Sequence, residues 1–196
     1  PRWEDRQKIG AFSAASNVTG IVTDVYESAR ILHRHGALAF IDFSVPAPYM
    51  EIDICRDETA YFDGVFLLPH KYVGGPGASG ILLIHDSVYR TGTQSPLSRR
   101  ETDRFVETTT SEYVSDLLTG TSDGALGILQ TIRAALAIDL QHHLGIESIE
   151  KREWELLARA YDRFHEAAEI ETLVPFSTGE RLAIFPFNVR YRDGYL

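Results

Sequence analysis

The sequence has very little cysteine: Cys55 is the single one among 196 residues. One cysteine cannot form an internal disulfide or a cysteine-based zinc site, and its scarcity favours a reducing compartment. Long hydrophobic runs are missing as well, since no run approaches the roughly 18 apolar residues of a membrane helix. We therefore expect a cytoplasmic protein that has no membrane partner and no disulfide.

Basic residues are also scarce. The chain has 19 Lys and Arg against 28 Asp and Glu, which gives a formal net charge of −9. Nucleic acids and anionic membranes are bound by basic faces, so the charge argues against both as the main partner. The 44% of hydrophobic residues and 24% of charged residues are typical of a globular protein with its own core.

Short apolar runs bounded by turn residues predict four strands in the first part of the chain. Unbroken runs of this kind are typical of strands that are covered on both faces. After the first run, Asp24 is followed three residues later by Glu27, a capping-box pattern that predicts a helix start, and Gly36 predicts its end. The four runs lie at residues 9–15, 37–42, 64–68 and 81–85.

Two longer helices are predicted further along the chain. The first extends from about Asp123 to His143, with Gly145 as its end signal. The second begins at about Ser148 and carries an apolar face that includes Trp154, which we expect to lie in the core. The apolar stripe of the first helix consists of Leu126, Leu129, Ile132, Leu136 and Leu140.

A last strand is predicted at residues 181–189, with an interruption at Pro186. The order of strands and helices predicts an α/β fold, with a boundary near residue 147. The chain begins at Pro1 without a Met and ends at Leu196 just after a strand-like run. We expect it to be part of a longer protein, and a processed complete protein is the alternative.

An acid and an amine follow two of the predicted buried strands. Asp42 ends the second strand, and Lys71 comes three residues after the third. Ligand sites of open α/β sheets lie outside the carboxyl ends of the strands, so the two side chains are candidates for one crevice. A lysine amine and a carboxylate are what pyridoxal phosphate (PLP) chemistry requires. By spacing alone, a surface salt bridge or two unrelated loop residues is the better explanation of the pair.

Four motifs, in order along residues 12–145, resemble those of the class V aminotransferase and cysteine desulfurase family of PLP enzymes. They include a Ser-Asn-Val-Thr-Gly turn, a strand that ends in Asp, a His-Lys pair followed by a glycine-rich turn, and a Gly-Thr pair. In this sequence the four segments are Phe12–Gly20, His35–Ser44, Tyr61–Gly80 and Thr119–Thr121.

The resemblance implies a fold and a reaction class. Residues 1–147 would be part of the fold type I large domain, a mainly parallel sheet flanked by helices. Residues 148–196 would be the start of a small α+β C-terminal domain. A small-molecule amino acid would be the substrate and PLP the cofactor. The family's sites lie at the interface of a homodimer, so a second copy is the expected partner.

The resemblance also assigns roles to individual residues. Lys71 would form the Schiff base with PLP and move the proton at the substrate α-carbon, and Asp42 would pair with the pyridine nitrogen. These two are the candidate catalytic residues. The remaining cofactor contacts would be Asn17 at the ring hydroxyl oxygen, Ser44 near the ring plane, His70 at the phosphate, and Thr121 at the phosphate in the partner subunit.

Three positions depart from the family pattern. Leu68 replaces a phosphate-binding Ser, Val45 replaces a Gln that contacts the ring oxygen, and Cys55 does not lie where the desulfurase nucleophile belongs. Transamination and C–S bond cleavage therefore both remain open. A non-catalytic relative that serves as a binding or scaffolding domain is the alternative function. No metal site is expected, because His33 and His35 are two residues apart on a helix and point in different directions.

Overall fold

The computed structural model describes residues 6–88, 127–174 and 181–196, together with the backbone of two short strands at 103–106 and 111–113. These two form a hairpin of β5 (Asp103–Val106) and β6 (Ser111–Tyr113). Within the described residues, no helix is long and apolar enough to cross a membrane.

The architecture is α/β, as predicted. A four-stranded sheet has the order β1-β2-β3-β4, in which β1, β2 and β3 are parallel and β4 runs antiparallel to β3. The mainly parallel sheet is therefore confirmed, with one antiparallel edge strand. Its members are β1 (Lys8–Ser13), β2 (Ala37–Asp42), β3 (Gly64–Leu67) and β4 (Ile81–Ile84).

Helix α1 (Val25–Arg34) makes the crossover from β1 to β2. The predicted helix start is confirmed, because Asp24 Oδ1 accepts a hydrogen bond from the Glu27 backbone N–H at 3.0 Å. The Glu27 carboxylate pairs with Arg30 and Arg34, so the structure shows the Asp24 half of the capping box. The helix ends before Gly36, whose φ of 64° is open to glycine at little cost. Local sequence signals thus set both ends of α1.

The core lies between α1 and one face of the sheet. Residues of β2 alternate between buried and half-buried, and Ile41 is fully buried beside Val65 of β3. Ala29 of α1 is fully buried and Phe43 is 1% exposed within the same cluster. Burial of a side chain such as Ile41 or Phe43 contributes about 1.5–3 kcal/mol, so this cluster holds the site-bearing strands in place.

Two helices and a small sheet make up the rest of the described chain. α2 (Ile128–Leu144) and α3 (Ile146–Glu166) meet at Gly145, which has a φ of 78°. A three-stranded antiparallel sheet follows in the order β7-β8-β9. Its strands are β7 (Ile170–Thr172), β8 (Phe187–Tyr191) and β9 (Gly194–Tyr195).

Three local predictions are corrected. The last strand begins at Phe187, after Pro186, because proline cannot donate to a strand ladder. Arg181, where the sequence predicts the strand to begin, lies in an isolated β-bridge with Ile21. Trp154 is 46% exposed, so its assignment to the core is wrong, while Leu157 on the same helix is buried.

The apolar stripe of α2 is not its packed face. The buried residues are Ala134 and Ala137, since small side chains allow the helix to lie close against its neighbours. Described members of the leucine and isoleucine stripe are exposed, with Leu129 at 77% and Leu136 at 63%. The predicted start at Asp123 lies outside the described residues.

Candidate active site

Most of the candidate residues lie at one edge of the sheet. Because β1, β2 and β3 are parallel, their carboxyl ends meet at the same edge, where ligand sites of open sheets form. Within four residues of these strand ends come Asn17, Asp42, Ser44, His70 and Lys71. The topology therefore places five of the six candidates at one edge. Thr121 lies outside the described residues.

Asp42 is held rigidly at the end of the central strand β2. In the sheet it is paired with Ser13 on one side and with Phe66 on the other. Its Oδ1 accepts a hydrogen bond from the Ser44 backbone N–H at 2.8 Å, a local turn that fixes the carboxylate. Within the described part of the chain, Oδ2 has no hydrogen-bond partner, so one carboxylate oxygen is available for a ligand.

A pocket of about 580 Å³ opens beside Asp42. Asp42 and the buried Ser44 supply its polar side chains, and the rest of its lining is apolar. A carboxylate in an apolar pocket suits a ligand that combines a flat apolar body with one positive nitrogen. The pocket is lined by Asp42, Ser44, Phe66, Leu67, Leu68, Gly80, Ile81 and Leu82.

Lys71 lies in a single 3-10 turn, Pro69–Lys71, directly after β3. Its backbone N–H donates to the Leu68 carbonyl at 3.0 Å, while its side chain and that of His70 are exposed. Tyr72, the next residue, is buried in the core, and this burial raises the pKa of its phenol. The turn is thus anchored on one side by Tyr72, and the exposed Lys71 is not among the residues that line the pocket.

The glycines after Lys71 are required by the backbone. A Cβ on Gly75 would overlap the Pro69 carbonyl oxygen, so only glycine lets the two segments approach. Gly74 and Gly77 have φ angles of 79° and 84°. The glycine-rich sequence therefore builds a tight turn behind the lysine, as its position between two strands predicts.

Asn17 occupies the exposed turn that follows β1. Ser16 Oγ stabilises this turn by accepting hydrogen bonds from the backbone N–H groups of Val18 and Thr19, at 3.2 and 3.1 Å. Within the described residues the Asn17 side chain has no hydrogen-bond partner, so its amide can meet a ligand at the sheet edge.

The donor set of this edge fits PLP better than a metal ion. One fixed carboxylate, one exposed amine and an apolar wall match a protonated pyridine ring and its aldehyde. Among the described residues, no group of three His, Cys, Asp or Glu side chains could hold a metal. Sequence reasoning missed the apolar wall, although the pairing of Phe66 with Asp42 follows from strand alternation once the register is known.

Comparison with known proteins shows the family of this chain. The family model for class V aminotransferases matches residues 3–196. The chain belongs to the class V aminotransferase family. A probable cysteine desulfurase of Halalkalibacterium halodurans is 29% identical over 94% of this chain and 43% of its own length. A probable cysteine desulfurase of Staphylococcus aureus is 30% identical over 95% of this chain and 43% of its own length.

Solved structures of cysteine desulfurases share the fold. The apo enzyme of Thermococcus onnurineus superposes with a TM-score of 0.78 at 23% identity, over 93% of this chain and 44% of that one. The Escherichia coli enzyme gives a TM-score of 0.73 at 17% identity, over 93% and 43% of the two chains. The fold is thus that of part of a class V enzyme, and the chain spans less than half the length of these relatives.

Proposed function

We propose that this chain is part of a PLP-dependent enzyme that acts on an amino acid, with Lys71 as the residue that binds the cofactor covalently. The observation that carries the proposal is the shared sheet edge, where a fixed Asp42 faces an apolar pocket and Lys71 follows the adjacent strand. Membership of the class V aminotransferase family supports it independently.

Bound PLP would supply an electron sink that stabilises negative charge at the substrate α-carbon. Asp42 would keep the pyridine nitrogen protonated, because an opposite charge within hydrogen-bonding distance favours the charged form. Lys71 would take up and return the α-proton from its exposed turn. The glycine turn behind Lys71 would limit how far the Lys71 amine can move from the pocket.

The other candidates would complete cofactor binding. Asn17 would reach the ring hydroxyl, Ser44 would lie near the ring plane, and His70 would contact the phosphate. Thr121 would act across a homodimer, at the phosphate of the partner subunit. Leu68 departs from the family pattern here. Because Leu68 lines the pocket, it would put an apolar contact where the family has a serine hydroxyl that binds the phosphate.

Cysteine is the first substrate to test, because the curated relatives carry the name cysteine desulfurase. We also propose that residues 1–147 belong to the large cofactor-binding domain and 148–196 to the small C-terminal domain. A cytoplasmic location fits the low cysteine content.

The test is covalent labelling. The protein contains three lysines, so Lys8 and Lys151 serve as internal controls for Lys71. Incubation with PLP, borohydride reduction and peptide mass spectrometry should place the label on Lys71, and Lys71→Ala should abolish it. Asp42→Asn should keep the label and lower turnover by roughly 10–1000-fold, the equivalent of about 1–3 pKa units of charge stabilisation. A label spread evenly over the three lysines would contradict the proposal.

The non-catalytic alternative is favoured by one observation, the apolar Leu68 in the pocket wall. A scaffolding relative would give neither the label at Lys71 nor the visible absorbance of a lysine-bound cofactor. The same experiment therefore separates the two functions.

A further inference from the structure

The lysine turn has a second support that comes from a distant part of the chain. Tyr72 anchors one side of the turn in the core, but the opposite side, residues 74–80, is a glycine-rich loop with few side chains of its own. Glycine loops have high backbone freedom, so a defined conformation needs hydrogen bonds from elsewhere. The first turns of α2 provide them.

Two contacts from α2 hold this loop. Arg133 Nη1 donates to the Pro76 carbonyl at 2.6 Å, and the Gln130 carbonyl accepts from the Ser79 backbone N–H at 3.2 Å. The Arg133 bond is short and charge-assisted, a type stronger than neutral pairs. A Cβ on Gly77 would come within 3.4 Å of the same guanidinium, so the Arg133 side chain lies directly against the turn.

The other hydrogen bonds of this loop are local, between residues three apart in sequence. Gly75 N–H donates to the Tyr72 carbonyl at 2.9 Å and Ala78 N–H donates to the Gly75 carbonyl at 2.8 Å. These bonds shape the turn from within and join it to the anchored Tyr72. The fixing contact from a side chain is that of Arg133, more than fifty residues away in sequence.

We propose that Arg133 is a positioning residue for Lys71: by holding the Gly75–Gly77 turn it fixes the direction in which the lysine amine leaves the sheet edge. The proposal rests on the proposed function of Lys71 and deepens it. Arg133 would act through the backbone of the turn, since it bonds to the Pro76 carbonyl and is not among the residues that line the pocket.

The experiment uses Arg133→Ala, Arg133→Lys and the control Arg159→Ala, which removes an exposed arginine of α3 that is not bonded to the turn. The first measurement is amide hydrogen exchange without added cofactor. Arg133→Ala should speed exchange at the hydrogen-bonded amides of Gly75, Ala78 and Ser79 by roughly tenfold, the effect of losing one charge-assisted hydrogen bond. Exchange in β2 should not change, and Arg159→Ala should match the wild type.

The second measurement is the rate of borohydride-trapped labelling by PLP at each lysine. Arg133→Ala should slow labelling of Lys71 about fivefold or more while Lys8 and Lys151 react as before, and Arg133→Lys should restore most of the rate, because an ammonium can also donate to the Pro76 carbonyl. If Arg133→Ala speeds amide exchange in the turn but leaves the rate of Lys71 labelling unchanged, Arg133 is merely structural and the inference is overturned. Unchanged exchange would overturn it as well.

A failure of the underlying function gives a different result. In that case the wild type itself labels Lys71 no faster than Lys8 and Lys151, and the positioning role falls with it. A selective wild-type label that Arg133→Ala leaves untouched removes the positioning role alone.

Discussion

Asp63 offers a sharp test of how the core supports the sheet. This residue lies just before β3, its side chain is 4% exposed, and its Oδ2 accepts two hydrogen bonds. The donors are the Ala39 backbone N–H at 2.8 Å and His33 Nε2 at 3.0 Å. The other ring nitrogen of His33 lies 3.0 Å from the Thr59 carbonyl, which can only accept, so the ring is held between two acceptors. Asp63 thus links α1, β2 and β3.

Asp63→Ala should lower the free energy of unfolding by about 2–6 kcal/mol, because the Ala39 N–H and the His33 ring each lose their acceptor at about 1–3 kcal/mol. Leaving the fully buried Ala39 N–H without an acceptor accounts for about 1–3 kcal/mol of this. Asp63→Asn should cost less, about 1–2 kcal/mol, because its amide oxygen can still accept from Ala39.

Urea unfolding followed by circular dichroism measures these differences. Asp86→Ala is the matched control, since Asp86 is exposed and unbonded within the described chain, and it should change stability by less than about 0.5 kcal/mol. A double-mutant cycle with His33→Ala should give a coupling of at least about 1 kcal/mol. If Asp63→Ala costs no more than Asp86→Ala, the buried pair does not support the sheet and the reasoning fails.

Two further predictions concern the acid stability and the lysine turn. Hydrogen bonds from Thr59 and then Arg30 hold the pKa of Asp57 well below its ordinary 3.8. The contribution of Asp57 to stability is therefore complete above pH 3.8 and is lost as the pH falls further. Asp57→Ala should flatten the acid side of a plot of Tm against pH, and an unchanged acid side would refute this. Gly75→Ala should destabilise by at least about 2 kcal/mol and slow labelling of Lys71, because the new Cβ would overlap the Pro69 carbonyl. The control is Gly36→Ala, whose new Cβ would have no atom within 4 Å and which should cost only the left-handed backbone penalty of about 1–2 kcal/mol. Equal losses of stability for the two variants would show that the close approach at Gly75 is unimportant.

Much of the site-bearing region could be predicted from sequence because its signals are local. The Asp24 cap, the end of α1 before Gly36 and the apolar runs of β2 and β3 act within a few residues of one another. The placement of Asp42 at a strand end and of Lys71 in the turn after β3 follows directly from those runs. The roles of these residues came from the motifs and stay predictions.

The tertiary structure decided everything that depends on contacts between distant segments. Periodicity gave α2 an apolar stripe through Leu129 and Leu136, but packing buried its alanines instead. The antiparallel direction of β4 and the apolar wall around Asp42 depend on strand pairing that no local pattern encodes. Arg133 shows the same limit, since its bond to Pro76 joins residues that only folding brings together. Helix capping and strand alternation are determined by residues that are neighbours along the chain. The packed face of α2 and the conformation of the turn after Lys71 are determined by residues that are neighbours only in space.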